Sequence, residues 1–533
     1  MTSEPVVDDE QELELEDLPF FDDDAPAEPL QQTSDGSVQK ARGSWVDAHL
    51  DNLEQRRPPA GYLPTTRQSP GRRVPSQPAP EGLDWSLVAA FRARASAQLT
   101  EAMKTRDSFG ADEQRSLGRQ IIGDLLEGTA QDDLSSGRTA WSAFEQQRLA
   151  EAVFDALFNL GRLQPLVDEA DIEDIEIRGQ GDQPVKVVVE TSDGVLHDRP
   201  PVADNDADLI EFVSFLASRS EVNARAFSPA QPRLHLRLDG GARLAAAAWT
   251  TPHPIVIIRR HRLRDVTLSD LSMRGMITPL CASFLAACVR AGYSIVVSGA
   301  QKAGKTTTVR ALCNEIPYEE HIGTFETEYE LFLNEMPHRH KRVSAFEARP
   351  GSGERGWDGR QAGEITLLDL LYDSFRFSLA RQIVGEIRGP EVLAMIKAMQ
   401  SGNGSISTTH ARNARGAIDK LITCALEAGP QITPAYAERS IAAGIDIVVH
   451  VNLDTRTDSD GATHRLRYIS EVIAVEPSGD GWKATDVFTL DPTRRVSVPN
   501  VLPDHLRELQ AHGFDLAGFQ SLARDIDGPR EPR

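Results

Sequence analysis

The feature that most constrains this chain is a strand-like apolar run that ends in a glycine-bounded loop, within residues 294–308. The apolar run 295–297 predicts a buried strand, and residues 307–314 predict a helix. Between them, residues 299–306 read Gly-x-x-x-x-Gly-Lys-Thr, the complete phosphate-binding-loop pattern. The glycines let backbone N–H groups turn toward a polyphosphate, and the helix adds its positive N-terminal end. The sequence therefore predicts a nucleotide-binding strand–loop–helix unit.

Two side chains of this loop are expected to act directly on the nucleotide. Lys305 would contact the β- and γ-phosphates, and the hydroxyl of Thr306 would ligate Mg²⁺. The loop interior contains no glycine, so its backbone is less permissive than that of many such loops. The predicted cofactor-binding residues are Gly299, Ala300, Gln301, Lys302, Ala303, Gly304, Lys305, Thr306 and Thr307.

Two further predicted strands end in residues that could act on a nucleotide. Residues 383–386 form an apolar run that ends in Glu386, whose carboxylate could hold Mg²⁺ through water or polarise an attacking water. His410 follows the predicted strand 405–409, and a neutral imidazole there could hydrogen-bond a γ-phosphate or the water shell of Mg²⁺. We assign Glu386 and His410 to the predicted catalytic site, and Glu386 also to the metal. A structural role for His410 is the alternative, and its assignment depends on the family resemblance described below.

Three carboxylates, Glu326, Glu328 and Glu330, follow another predicted strand. Their like charges would repel one another unless a cation or a basic partner lay beside them. Glu326 and Glu330 are therefore candidates for positioning Mg²⁺ or water, and Glu326 is assigned to the catalytic site. An acidic surface turn is the alternative interpretation.

Arginines are candidates for neutralising the charge on a transferring phosphoryl group. Two of them flank a hairpin turn predicted at Asp239-Gly240. Any of these arginines could reach the nucleotide across a subunit boundary, although a surface salt bridge is at least as good an interpretation for each one taken singly. The candidates for phosphate sensing are Arg237, Arg243, Arg376 and Arg388.

The chain of 533 residues is longer than one hydrophobic core usually serves, so several domains are expected. Strand-like and helix-like segments alternate from about 265 to 450, which predicts an α/β fold with a mostly parallel sheet covered by helices on both faces. The first predicted division is a disordered tail over 1–80, which is acidic and then rich in Pro and Arg. A helical region over 84–165 and a smaller α/β domain over 166–254 are predicted to follow. The nucleotide-binding domain with a C-terminal extension is predicted over 255–498, and a terminal helix and tail over 499–533.

The charge and cysteine content narrow the class of protein. A net charge of −23 argues against general nucleic-acid coating, so no direct nucleic-acid partner is expected. None of the four cysteines forms a C-x-x-C pair, which disfavours a zinc site.

The longest apolar-rich stretch, 276–297, is interrupted by Pro279 and Arg290 and is too broken to span a bilayer. We expect a cytoplasmic protein that reaches a membrane only through a partner.

Taken together, these motifs resemble those of the type II/type IV secretion ATPase superfamily. Residues 299–306, 324–326, 383–389 and 407–411 match, in order, its Walker A, Asp box, Walker B and His box. Two more segments, which read Arg-Leu-Asp-Gly-Gly-Ala-Arg from Arg237 and Gln-Ser-Gly-Asn-Gly-Ser-Ile-Ser from Gln400, resemble the tight-adherence pilus (TadA/CpaF-like) branch.

The resemblance implies a RecA-like P-loop NTPase domain preceded by a smaller, PAS-like α/β domain and a helical N-terminal region. It further implies ATP and Mg²⁺ as cofactors, with nucleotide bound between the two α/β domains. The protein would form a homo-oligomeric ring, a hexamer, whose ATP hydrolysis drives domain rotation. That motion would act on an inner-membrane platform protein to assemble pilin or export substrate, so the ring would lie peripherally at the inner face of the cell membrane.

The chain departs from the family pattern in places that bear on the rate of hydrolysis. The loop interior 300–303 lacks the usual glycine, and Thr327 and Ala380 stand where aspartates are usual. Lys305, Glu386 and the other principal site residues are retained, so we expect slow but measurable ATP hydrolysis. The alternative is a nucleotide-binding regulatory or scaffold paralogue with weak or no hydrolysis. A DNA-translocating ATPase is disfavoured by the acidic charge.

Overall fold

The computed structural model describes residues 83–526, except for the short segments 105–109, 140, 220–225, 239, 350, 357–359, 401–403, 458–462, 480 and 494. The tail predicted over 1–80 and Asp239 of the predicted turn lie outside the described residues. Within the described residues, no helix has both the length and the apolar composition that crossing a bilayer would need.

The first described elements are three helices that pack around a shared apolar core. They are α1 Trp85–Met103, α2 Ala111–Ser135 and α3 Ala143–Phe158. The carboxylate of Asp84 accepts hydrogen bonds from the first-turn N–H groups of α1, and Ser142 and Glu145 form a reciprocal capping box at the start of α3. Phe91 and Val153 are buried in the core. The prediction of helices in this region is confirmed.

A six-stranded antiparallel sheet follows, with strand order β3-β2-β1-β6-β5-β4. Its strands are β1 Ile172–Gln180, β2 Gln183–Thr191, β3 Leu196–Arg199, β4 Arg233–Arg237, β5 Arg243–Ala247 and β6 Ile255–Arg259, and its accompanying helices are α4 Gln164–Asp168 and α5 Asp206–Arg219. We call this unit the N-terminal sheet. The predicted hairpin is present, because β4 and β5 pair from Arg237↔Arg243 to Arg233↔Ala247.

The structure corrects one strand assignment made from the sequence. Residues from 255 onward were predicted to belong to the nucleotide-binding domain, but β6 pairs with both β1 and β5 inside the N-terminal sheet. Alternate residues of β6, Val256 and Ile258, are buried in the core of this sheet. The polypeptide therefore leaves the N-terminal sheet after Arg259.

The remaining strands form one nine-stranded sheet with the order β17-β16-β15-β14-β7-β13-β12-β8-β9. The six strands from β14 to β9 are parallel, and β15 to β17 add antiparallel strands at one edge. Two further strands, β10 Ser352–Arg355 and β11 Gln361–Ala362, form a separate hairpin. The strands of the main sheet are β7 Ile295–Gly299, β8 His321–Glu326, β9 Arg342–Glu347, β12 Arg381–Val384, β13 Ser405–His410, β14 Ile447–Thr457, β15 Thr463–Ser478, β16 Gly481–Asp491 and β17 Val496–Pro499.

Helices cover this sheet, as the alternating pattern predicts. They are α6 Leu268–Met273, α7 Pro279–Arg290, α8 Lys305–Cys313, α9 Leu367–Ser374, α10 Val392–Met399, α11 Ala414–Leu426, α12 Pro434–Gly444 and α13 Leu516–Ile526, with a 3₁₀ helix at Asp504–His512. Two separate apolar clusters, one including Val297 and the other Val296, reflect alternate side chains of β7 entering the cores on opposite sides of the sheet. The mixed α/β architecture with a mostly parallel main sheet is confirmed.

Candidate functional site

A cleft of about 600 Å³ lies between the N-terminal sheet and the carboxyl ends of the parallel strands. Among the described residues, eleven lysines and arginines line it, against four aspartates and glutamates. The whole chain carries a net charge of −23. This concentration of positive charge in an acidic protein makes the cleft a candidate binding site for a polyanion.

The predicted phosphate-binding loop forms one wall of this cleft. Gly299 ends β7, and a Cβ at this position would lie 2.4 Å from the carbonyl oxygen of Val451. Gly304 has a φ of 101° and directly precedes α8, whose first turn has no side-chain cap. A residue with a Cβ would be strained at this φ. The loop therefore places the uncapped N-terminal end of α8 beside the cleft, where it can bind an anion.

Lys305, the first residue of α8, is folded against its own loop. Its Nζ donates to the carbonyl oxygens of Gly299 at 3.2 Å and Ala300 at 2.9 Å. Only 8% of the residue is exposed, and this burial lowers the pKa of Lys305 to about 8. The ammonium group is thus held at the floor of the loop, and its contact with phosphate stays a prediction.

His410 connects Lys305 to Glu386. The Nδ1 of His410 lies 3.1 Å from the Nζ of Lys305, and its Nε2 lies 2.9 Å from Oε1 of Glu386. Because an ammonium group has no acceptor, Nδ1 must accept from Lys305, and the imidazole proton is left on Nε2, whose 2.9 Å approach to Oε1 of Glu386 lacks hydrogen-bond geometry. Burial and the nearby Lys305 charge lower the pKa of His410, which favours this neutral form. Register explains the contact, because His410 of β13 pairs with Gly299 of β7.

Glu386 reaches the cleft from the turn after β12. Its Oε2 lies 2.6 Å from the guanidinium of Arg388, which is itself 70% exposed. Arg388 is one of the predicted phosphate-sensing residues, and the structure places it on the cleft. Both oxygens of Glu386 therefore have basic partners, His410 and Arg388.

A second carboxylate, Glu330, contacts Thr306, one of the two predicted Mg²⁺ ligands. The hydroxyl of Thr306 donates to Oε2 of Glu330 at 3.1 Å. Oε1 of Glu330 pairs with Arg243 of the N-terminal sheet, and Arg243 also pairs with Glu328 at 2.8 Å. The clustered carboxylates after β8 thus have the basic partner that their mutual repulsion requires. Arg243, a predicted phosphate-sensing residue, is engaged by these carboxylates in this conformation.

Glu326, assigned from the sequence to the catalytic site, is buried beneath this turn. Only 2% of the residue is exposed, and its Oε1 accepts from the N–H groups of Glu330 at 2.8 Å and Leu331 at 2.9 Å. Burial raises the pKa of Glu326 to about 8. In this structure Glu326 positions the backbone that carries Glu330, and Glu330 is the carboxylate that lines the cleft.

The raised pKa of Glu326 predicts a pH-dependent stability. The folded protein holds this proton up to about pH 8, whereas the unfolded chain releases it near pH 4.5. The contribution of Glu326 to the free energy of unfolding is therefore fully present below pH 4.5, and it is lost as the pH rises toward 8. We expect the stability of wild type relative to Glu326→Gln to fall by about 2 kcal/mol between pH 5.5 and 7.5. Chemical unfolding of both proteins measures this difference, and the same pH trend in both would contradict it. Glu319→Gln, at a side chain that is 71% exposed, is the control.

The structure also shows cleft residues that the sequence analysis did not select. Arg310 of α8 is 2% exposed, and its guanidinium donates to the carbonyl oxygens of Leu263 at 2.6 Å and Glu330 at 3.0 Å. Arg259 and Arg262, at and after the end of β6, line the cleft from the N-terminal sheet. The run of arginines over 259–264 was the available signal.

Two predicted phosphate-sensing residues lie outside the cleft lining. Arg237 stacks on the ring of Tyr329, with 5.1 Å from its guanidinium carbon to the ring centroid. Arg376 is 83% exposed after α9 and lies 3.7 Å from Asp373. The structure therefore brings Arg243 and Arg388 to the cleft and leaves Arg237 and Arg376 elsewhere.

The residues present fit a nucleoside triphosphate with Mg²⁺. The loop backbone leaves room for phosphate where a Cβ on Gly304 would strain the chain, and the adjacent helix end and Lys305 supply positive charge. Within the described ranges, no group of three or more His, Cys, Asp or Glu side chains could hold a metal alone. Mg²⁺ would therefore be shared between phosphate oxygens and Thr306, with Glu330 and Glu386 nearby.

Comparison with known proteins shows the family of this chain. The family model described as "Type II/IV secretion system protein" matches residues 170–478. The chain is similar to an uncharacterized protein of Methanocaldococcus jannaschii, with 29% identity over 50% of this chain and 45% of the relative. It is also similar to the type IV secretion system protein VirB11 of Brucella suis, with 31% identity over 36% and 49%, and to PtlH of Bordetella pertussis, with 33% over 34% and 51%. The chain thus spans about half the length of these relatives.

The chain also matches solved structures, including the following two. The VirB11 ATPase from the Brucella suis type IV secretion system has 24% identity, covering 58% of this chain and 91% of that chain, with a TM-score of 0.29. The pilus retraction motor PilT with bound ADP has 16% identity over 58% and 81%, with a TM-score of 0.39. The family match covers the N-terminal sheet, the main sheet as far as β15 and every segment from the phosphate-binding loop to His410, and the chain belongs to the type II/IV secretion system protein family.

Proposed function

We propose that this protein is the ATP-hydrolysing motor of a bacterial Tad-like pilus or of a type II or type IV secretion system. The observation that carries the proposal is the continuous contact from Lys305 through His410 to Glu386 at the mouth of the phosphate-binding loop. It joins a phosphate-binding group to a carboxylate that can act on water. Relatives named as secretion-system proteins support the same class of function.

Each side chain of the site would have a distinct role in ATP hydrolysis. Bound Mg·ATP supplies the phosphoanhydride bond. Lys305 and the N-terminal end of α8 bind and orient the phosphates. Glu386, once released from Arg388, positions and polarises water, and Thr306 and Glu330 hold the Mg²⁺ shell. His410 contacts both Lys305 and Glu386, so it can report phosphate occupancy to the carboxylate.

The motor would act as a homo-oligomeric ring, a hexamer, with an inner-membrane platform protein as partner and no direct nucleic-acid partner. It would work in the cytoplasm at the inner face of the membrane. The N-terminal sheet forms one wall of the cleft, so a change at the phosphates can alter its position. Movement of that sheet is the step that would act on the platform protein to assemble pilin or export substrate.

One observation favours a second candidate, a regulatory or scaffold paralogue that binds nucleotide with weak or no hydrolysis. Oε2 of Glu386 is held at 2.6 Å by Arg388, and His410 lies 2.9 Å from its Oε1. A carboxylate held in this way is a poor base for water until one of these contacts breaks. The altered loop interior 300–303 favours the same candidate.

Steady-state hydrolysis of Mg·ATP by the purified full chain, with oligomeric mass recorded on the same samples, tests the proposal. We expect a ring that turns over ATP slowly and accelerates when membranes carrying the secretion or pilus apparatus are added. A ring that binds ATP without measurable turnover in either condition would support the paralogue instead. A protein that binds no nucleotide would overturn both candidates.

A further inference from the structure

Lys302, at the tip of the phosphate-binding loop, has an unusual backbone and an unusual set of contacts. Its φ is 63°, in the left-handed region where a side chain is unfavourable and glycine is usual. Its Nζ lies 2.7 Å from Oε2 of Glu190 and also pairs with Asp174. A lysine at this position therefore accepts backbone strain while its charge is bound by two carboxylates.

Both carboxylates belong to the N-terminal sheet. Asp174 is on β1 and Glu190 is on β2, and each side chain is only 12% exposed. Lys302 lies on the other α/β unit, between β7 and α8. Because these charges are largely removed from water, their attraction is stronger than that of a surface pair.

Two arginines of β15 reinforce the same junction. Arg467 donates from Nε to the carbonyl oxygen of Lys302 at 3.0 Å and pairs with Glu173 of β1 at 2.9 Å. Arg465 pairs with Glu190. The tip of the loop is thus tied to the N-terminal sheet through both its side chain and its backbone. Lys302 was predicted among the cofactor-binding residues of the loop, but here its ammonium group pairs with Asp174 and Glu190 of the N-terminal sheet.

We propose that Lys302 is an interdomain latch that fixes the tip of the phosphate-binding loop to the N-terminal sheet through Asp174 and Glu190. The latch holds the cleft closed, with Arg259 and Arg262 facing the loop. Binding of a polyphosphate to the loop is then coupled to the equilibrium between an open and a closed position of the N-terminal sheet. A bound nucleotide would favour the closed cleft, and an open cleft would bind nucleotide more weakly.

The first test needs no nucleotide. All four native cysteines are buried, so fluorophores can be placed at Lys186→Cys on β2 and Arg376→Cys after α9, which are 54% and 83% exposed. Energy transfer in the full chain reports the interdomain distance. We expect Lys302→Met to shift and broaden the transfer distribution relative to the wild type. Lys341→Met, at an exposed lysine outside the cleft, is the matched control.

Two further variants separate charge from backbone strain and from misfolding. Lys302→Gly relieves the positive φ but lacks the ammonium group, so it should open the cleft as Lys302→Met does while melting no lower than Lys302→Met. Glu190→Gln removes one partner, and combining it with Lys302→Met should add less than the sum of the single effects. Transfer distributions equal to the wild type in both Lys302 variants would overturn the latch.

The second test measures affinity with a fluorescent ADP analogue. Because the coupling to a polyphosphate rests on the proposed function, the Lys305→Ala variant is included to mark loss of the nucleotide site itself. We expect Lys302→Met to bind the probe about tenfold more weakly than the wild type. Unchanged affinity with an opened cleft would overturn the coupling. Absence of binding by the wild type would reject the proposed function and leave the energy-transfer test of the latch intact.

Discussion

Replacing Lys305 with alanine is expected to abolish ATP turnover, with a loss of at least about a hundredfold. The ammonium group is the buried cation that the loop carbonyls of Gly299 and Ala300 hold in place. Alanine would remove the phosphate contact and break the connection to His410 at once. Steady-state hydrolysis and equilibrium binding of a fluorescent nucleotide on the same preparation would show both losses.

The controls for this substitution follow from the same geometry. Lys341→Ala removes an exposed lysine that pairs with Glu319, so its turnover and melting temperature should match the wild type. Lys305→Arg keeps the charge but changes its shape, and the tight loop should not accommodate the planar guanidinium group. We expect the arginine variant to recover little turnover. Undiminished hydrolysis in Lys305→Ala would show that the phosphates bind elsewhere.

The sequence predicted the local parts of this site because each depends on neighbouring residues alone. The strand, loop and helix over 294–308 carry their own periodicity and glycine spacing, and the structure places β7 and α8 there. Glu386 and His410 were predicted at the ends of strands. In a parallel sheet such ends meet at one edge, so their proximity to the loop follows from the fold class.

The parts that could not be predicted depend on contacts between distant segments. An apolar run such as 255–258 fits a strand of either sheet, and only pairing with β1 and β5 decides its place. The ion-pair partners of Arg243 could not be predicted either, because Glu328 and Glu330 lie 85 or more residues away in the sequence. An arginine in a sequence shows its charge, but its partner is set by tertiary packing.

The contacts of the loop interior 300–303 also could not be predicted from the sequence. From the sequence, residues 300–303 were a departure that put the hydrolysis rate in doubt. The structure gives Lys302 a positive φ and two carboxylate partners on the N-terminal sheet. The backbone strain and the ion pairs occur at one residue, which neither composition nor spacing could indicate.

The second large effect is expected from Glu386→Gln. Glutamine keeps the size of the side chain and an oxygen that can accept from Nε2–H of His410, but it cannot act as a base. We expect turnover to fall by roughly 10²–10⁴-fold, while nucleotide affinity changes little because Lys305 and α8 remain in place. Single-turnover hydrolysis together with nucleotide binding would separate these two quantities.

A glutamate in the same turn provides the matched control. Glu391 accepts from the backbone N–H groups of Arg388 at 2.7 Å and Gly389 at 2.9 Å. In Glu391→Gln the amide oxygen can still accept these bonds, so turnover should be preserved. If Glu386→Gln and the wild type turned over equally slowly, the carboxylate held by Arg388 and His410 would not be released during the cycle. That result would favour the regulatory paralogue, because breaking the Arg388 contact is the step that a motor requires before water can be activated.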